Sequence, residues 1–101
     1  MTRVVILTVR KDAKERFRAF ETHAAAIMKT HGGRIERTIV VESDEAPDVF
    51  KEIHVVTFPN AHAFAAYRDD ARLGEVAHLR HDSVVSTETF VGEDGPTYGA
   101  G

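Results

Sequence analysis

Residues Val4 to Val9 read Val-Val-Ile-Leu-Thr-Val, an almost unbroken aliphatic run closed by Arg10-Lys11-Asp12, which predicts a strand apolar on both faces. After Asp12, a predicted N-cap, Phe17, Phe20, Ala24, Ile27, Met28 and His31 recur at three- and four-residue spacing, while Lys14, Arg18, Glu21 and Ala25 fall opposite. That period predicts an amphipathic helix of about five turns, ended at Gly32-Gly33 because glycine readily takes the left-handed conformation that closes a helix. Arg34 to Glu42 alternates into a second strand, Ser43 to Asp48 is turn-rich, and Phe50 to Phe58 is a third strand. Pro59-Asn60 opens a second helix with Phe64, Tyr67 and Ala71 inward; it is expected to break near Gly74 and continue through Val76 to Arg80. Ser83 to Val91 supplies a fourth strand. Residues 1–91 therefore form one expected domain, and 92–101 a glycine-rich tail without regular structure.

The order β-α-β-β-α-β is the split-βαβ plan of an α+β, ferredoxin-like domain: a four-stranded antiparallel sheet with two helices on one face. Both faces of that sheet are apolar. The first strand sets Val4 and Ile6 against Val5, Leu7 and Val9; the third sets Ile53 and Val55 against Val56 and Phe58; the second sets Ile35, Ile39 and Val41 against Val40. Two helices cover one face only, and burying about six side chains on the other at ~1.5 to 3 kcal/mol each supplies on the order of 10 kcal/mol before association costs. The expected partner is a second copy of the chain, sheet against sheet, with Val55 facing it.

Thirteen Lys plus Arg against sixteen Asp plus Glu give a net charge of −3, which argues against a nucleic-acid or anionic-membrane partner. The absence of cysteine excludes thiol catalysis, Cys-ligated zinc, iron–sulfur clusters and disulfides. Met1-Thr2-Arg3 leads straight into the first strand, with no signal-peptide pattern and no apolar stretch of membrane-spanning length, so the cytoplasm is the expected compartment. Arginine outnumbers lysine nine to four, in keeping with a GC-rich bacterial genome. No phosphate-binding glycine motif is present, and Ser43, Ser83 and Ser86 lie in no nucleophile elbow. No cofactor is implied.

Among six histidines, His54 stands apart. Strand parity groups it with Val56 and Phe58, beneath the helices, where an imidazole is either a core group satisfied by a neighbour or a catalytic acid or base tuned near neutral pH. Tyr67, inward on the second helix, can offer a phenolic donor to the same space or simply pack. Arg80 aligns with Leu73 and Val76; it can bind a substrate carboxylate or reach an acidic residue such as Glu88. His23, at the border of the first helix's apolar stripe, is a candidate for a pocket mouth. His31 is expected to cap the terminal carbonyls of its helix, and His62 to lie outward. Glu75, His78 and His81 share a helical stripe with the Glu-x-x-His spacing of di-iron proteins, but the second motif such a site requires is missing.

Met28-Lys29-Thr30-His31-Gly32-Gly33-Arg34, then Val55-Val56-Thr57-Phe58-Pro59, Ala65-Ala66-Tyr67-Arg68-Asp69-Asp70 and Leu79-Arg80 together resemble short bacterial proteins of unknown function in the dimeric α+β barrel superfamily, over about residues 4 to 91. That superfamily includes cofactor-independent monooxygenases, muconolactone-type isomerases, haem-degrading monooxygenases and chlorite dismutases, besides members without known activity. The chain departs from the nearest branch at Thr38-Ile39, where an Arg-Gly pair is usual, and at Ala66, where a tryptophan is usual; the haem-degrading members depend on tryptophan, and this chain has none. Two functions are thus expected in competition. One is a cofactor-independent monooxygenase or isomerase for a small apolar or aromatic acid, with His54 catalytic and Tyr67, Arg80 and His23 binding substrate. The other is a non-catalytic homodimeric binding or assembly module.

Overall fold

The unbroken aliphatic run becomes a central strand. In the computed structural model, which describes residues 1–99, β1 (Thr2–Arg10) lies between β3 (Val49–Thr57) and β4 (Val84–Gly92), with β2 (Arg34–Val41) beyond β3. All neighbours are antiparallel. Three helices, α1 (Lys14–Thr30), α2 (Ala61–Arg68) and α3 (Ala71–His81), cover one face, which gives the ferredoxin-like α+β plan with its second helix divided.

Register decides what each face buries. Val5, Leu7 and Val9 stand opposite His54, Glu52 and Phe50 and point toward the helices. Leu7, Val9, Phe17 and Phe50 form one apolar cluster, with Phe17 edge-on to Phe50 at 6.1 Å. Met28, Val56 and Phe58 form another, joined by Phe64 and Tyr67. Between these two clusters the same sheet face carries Glu52 and His54.

The other face has no cover. Val4 and Ile6 of β1 align with Val55 and Ile53 of β3, and toward the rims Ile39, Val41 and Phe90 are 38%, 42% and 53% exposed. The molecule is a slab of 39 × 39 × 17 Å. Its surface of 6683 Å² exceeds by about 1,000 Å² the ~5,700 Å² expected of a monomeric globule of this mass.

Four local expectations are corrected. A register shift between Ile35 and Arg37 makes Glu36 a bulge, which reverses parity: Ile35 faces inward with Val56, while Ile39 and Val41 face the open side. Asp12 does not cap α1, because a 3₁₀ turn, Lys11–Ala13, intervenes and Asp12 pairs with Arg10 at 2.9 Å. The second helix breaks at Asp69-Asp70 and not at Gly74, since the Asp70 carboxylate accepts the Arg72 backbone N–H at 2.9 Å and restarts the helix as an N-cap. That restart leaves Ala71 exposed. Finally, β4 runs through Gly92; residues 93–99 form neither helix nor strand, and 100–101 of the expected tail lie outside the described residues.

Gly32 closes α1 with φ +76°, and a Cβ there would stand 2.9 Å from Pro59 Cγ. Gly32→Val should therefore cost about 2 kcal/mol or more. For a domain of this size each kcal/mol lowers the thermal midpoint by about 4–8 °C; calorimetry showing an unchanged midpoint would contradict the strain. Gly33, buried, admits no side chain either, because its Cβ would collide with the Phe58 ring and Met28.

Candidate active site

On β3 the inward row reads Phe50, Glu52, His54, Val56, two polar groups inside an apolar alternation. Residues two apart on a strand share a face, so Glu52 and His54, only 7% and 4% exposed, lie side by side. His54 Nε2 and Glu52 Oε1 are 2.7 Å apart. With the carboxylate as acceptor, Nε2 carries a proton, and in the neutral ring Nδ1 then keeps its lone pair. From α1 above, Glu21 Oε2 comes to 3.9 Å from that Nδ1.

Glu21 overturns its expected outward position. It precedes Met28 by seven residues, almost two full turns, which places the two within about 20° on the helix. Burial pushes its carboxyl above the ordinary value of 4.5; His54 opposes that rise, Glu52 adds to it and Arg80 opposes it. A carboxyl that holds its proton more tightly when folded costs stability once the pH passes its unfolded value, fully so above its folded value. Glu21→Gln should thus raise the melting temperature at pH 7, with the gain fading toward pH 4. Equal or lower stability of the variant at pH 7 would contradict this.

His54 and Glu21 border a cavity of about 460 Å³ between sheet and helices, with Glu52 behind His54. Its apolar wall includes Val5, Phe20, Met28, Val56, Phe58 and Phe64; its polar groups include Arg3, Glu21, His54, Tyr67, Arg80 and Thr87. Burial is the main cause that pushes the Tyr67 hydroxyl up to about 12, with Glu21 adding and Arg80 opposing, so it is a protonated donor at neutral pH. Arg80 Nη2 donates to Thr87 Oγ1. It does not reach Glu88, which stands opposite Ile6 and so points from the uncovered face.

Thus His54, Tyr67 and Arg80 meet at one cavity, whereas His23 does not: it is exposed on α1 and borders none of that space. The His31 ring does not cap carbonyls. Its backbone N–H takes that role, bonding Met28 O, and the ring's Nε2 bonds Asp70 Oδ2 at 2.8 Å, tying the end of α1 to the start of α3. His62, Glu75, His78 and His81 are exposed, and among the described residues no three His, Asp or Glu side chains converge as a metal site.

Glu52 and Glu21 are the candidate-site residues that pattern reasoning missed. Glu52 had a signal, its parity with His54 on an apolar face. Chemically, the arrangement is a carboxylate-oriented imidazole with a free lone pair at the wall of an apolar cavity, facing a second carboxyl and flanked by a phenol and a guanidinium. Such groups are costly to bury, which marks functional sites more than packing.

No family model and no curated protein matches the chain. Solved structures do. SnoaB, a cofactor-independent oxygenase from Streptomyces nogalater, is similar with a TM-score of 0.63 at 14% identity, covering 93% of this chain and 94% of that one. A Nitrosomonas europaea protein, assigned as an antibiotic biosynthesis monooxygenase, gives 0.59 at 17% over 99% and 94%. A further antibiotic biosynthesis monooxygenase gives 0.63 at 10% over 95% and 100%. At these identities the likeness establishes architecture: the chain has the ferredoxin-like α+β fold of antibiotic biosynthesis monooxygenases.

Proposed function

We propose that the protein is a cofactor-independent enzyme, working as a homodimer, that removes a proton from a small apolar carbonyl compound and then isomerises or oxygenates it. The observation that carries this reading is His54 at the cavity wall, paired with the buried Glu52. A substrate C–H activated by an adjacent carbonyl gives its proton to His54 Nδ1. Glu52 holds the ring in the required tautomer and stabilises the imidazolium that forms. Tyr67 donates to the developing enolate oxygen, Arg80 adds positive charge beside it, and the apolar wall strengthens both effects by excluding water. Glu21, 3.9 Å from Nδ1, receives the proton onward. The carbanion is then reprotonated at another carbon, or it reacts with dioxygen so that CH₂ becomes C=O and the second oxygen atom leaves as water. The likeness to SnoaB, described as a cofactor-independent oxygenase, favours the second fate. A module whose whole task is assembly would fill such a space with side chains; here about 460 Å³ is open.

The homodimer is supported by the uncovered apolar face and the excess surface. Four strands ~4.8 Å apart and eight or nine residues long at ~3.3 Å present roughly 19 × 30 Å, which with side-chain relief approaches one partner's ~800 Å² share of a standard interface.

Proton abstraction is tested with 2-tetralone, whose C1 hydrogens lie between a ring and a carbonyl. In D₂O under nitrogen, the purified protein should accelerate their exchange as read by NMR, and in air it should consume oxygen or return an isomer. Exchange no faster than in buffer would overturn the reading.

A further inference from the structure

Six arginines in this chain have a side-chain partner: Arg10 with Asp12, Arg16 with Asp82, Arg34 with Glu36, Arg68 with Asp69, Arg72 with Asp70, and Arg80 with Thr87. Arg3 is different. It lies on the inward row of β1, borders the cavity, and its Nε is shielded from solvent with no hydrogen-bond partner. Among the described residues no carboxylate forms an ion pair with it. Its guanidinium instead lies over the Phe64 ring, 4.0 Å from the centroid, which positions the fork without satisfying its donors.

A guanidinium whose Nε is shielded from water without an acceptor is half of a recognition pair, and the acceptor that matches its planar fork is a carboxylate. The nearest guanidinium on the same ring, Arg68, is committed to Asp69, so of the two only Arg3 is uncommitted. Glu21 lines the same space and Glu52 lies behind His54, and both disfavour a dianion such as a phosphate monoester. Apolar walls fit the remainder of the molecule. Arg3 precedes Val5 by two residues, about 7 Å along a strand, and Val5 is the cross-strand partner of His54. An acid whose carboxylate sits on Arg3 therefore extends along the cavity toward the imidazole.

We infer that Arg3 binds the carboxylate of an apolar monocarboxylic acid and so determines which molecules enter the site and which atom meets His54. This moves anion recognition away from Arg80, whose guanidinium is held on Thr87 in the Leu7 row, at the other end of the His54 row. It rests on the proposed proton transfer only for what the bound acid undergoes.

The test is calorimetric titration of the full chain with 2-naphthoate and its uncharged counterpart 2-naphthamide. Wild type should bind the acid at least about tenfold more tightly, and Arg3→Met, which keeps an unbranched chain over Phe64, should weaken acid binding about 10- to 100-fold while moving the amide less than about twofold. Should Arg3→Met fail to fold, Arg3→Lys decides: it keeps the charge, loses the fork, and should weaken the acid several-fold with the amide unchanged. No saturable acid binding by wild type, no preference over the amide, or acid affinity unaltered in these variants overturns the inference. If the acid binds through Arg3 but 2-tetralone shows no exchange dependent on His54, the anion site stands and proton transfer falls; exchange without an Arg3-dependent preference does the reverse.

Discussion

His54→Gln should lower catalysed exchange or turnover by about 10²- to 10⁴-fold, the usual contribution of a positioned general base, and leave stability nearly intact. Glutamine reaches Glu52 with an amide N–H in place of the imidazole Nε2–H, which sits 2.7 Å from that carboxylate, so the buried acceptor keeps a donor. What the amide lacks is the basic lone pair that Nδ1 presents toward Glu21 and the cavity. A histidine retained for packing behaves the opposite way, since its loss opens a void and orphans a partner. Melting temperature and exchange rate are therefore to be measured on the same variant. A large fall in melting temperature with exchange undiminished would leave the assembly function standing and remove the enzyme.

Val55→Asp should abolish the dimer. Val55 sits on an interior strand of the sheet, opposite Val4 on one side and Arg37 on the other, on the face no helix covers. Twofold symmetry brings two new carboxylates into one interface, and although Arg37 stands beside each, taking such charges out of water costs several kcal/mol apiece even when paired, comparable together with the on the order of 10 kcal/mol that drives association. Light scattering should find wild type near 22 kDa, about twice the 11.2 kDa chain, and the variant monomeric or unfolded. A soluble Val55→Asp dimer, or a wild-type monomer at micromolar concentration, would show that the open face is not the interface.

Long-period features were legible because many residues vote for them. The stripe Phe17, Phe20, Ala24, Ile27, Met28 is the buried face of α1, and parity with Val56 and Phe58 put His54 on the helix side, where it is buried. Features set by one or two residues were not. The bulge at Glu36 has no glycine or proline to announce it, so the faces of β2 were read in unbroken alternation. Asp70 outweighs Gly74 because a capping carboxylate stabilises a new helix start, while glycine inside α3 costs only about 1 kcal/mol. Glu21 was hidden by its charge: a lone carboxyl beside an apolar stripe reads as surface until a cavity and a histidine are seen beneath it. Arg3 carries no sequence signal, since an unsatisfied partner is a property of the packed molecule alone.

The central claim is that His54 offers the cavity an imidazole with a free lone pair, and the ¹⁵N spectrum of histidine-labelled protein reads this directly. At neutral pH the His54 signals should show Nε2 protonated and Nδ1 bare, with the Nδ1 resonance moving when 2-naphthoate fills the cavity. A proton on Nδ1 with Nε2 bare, or a ring doubly protonated throughout the neutral range, would contradict it, because neither state can take a proton from a substrate there.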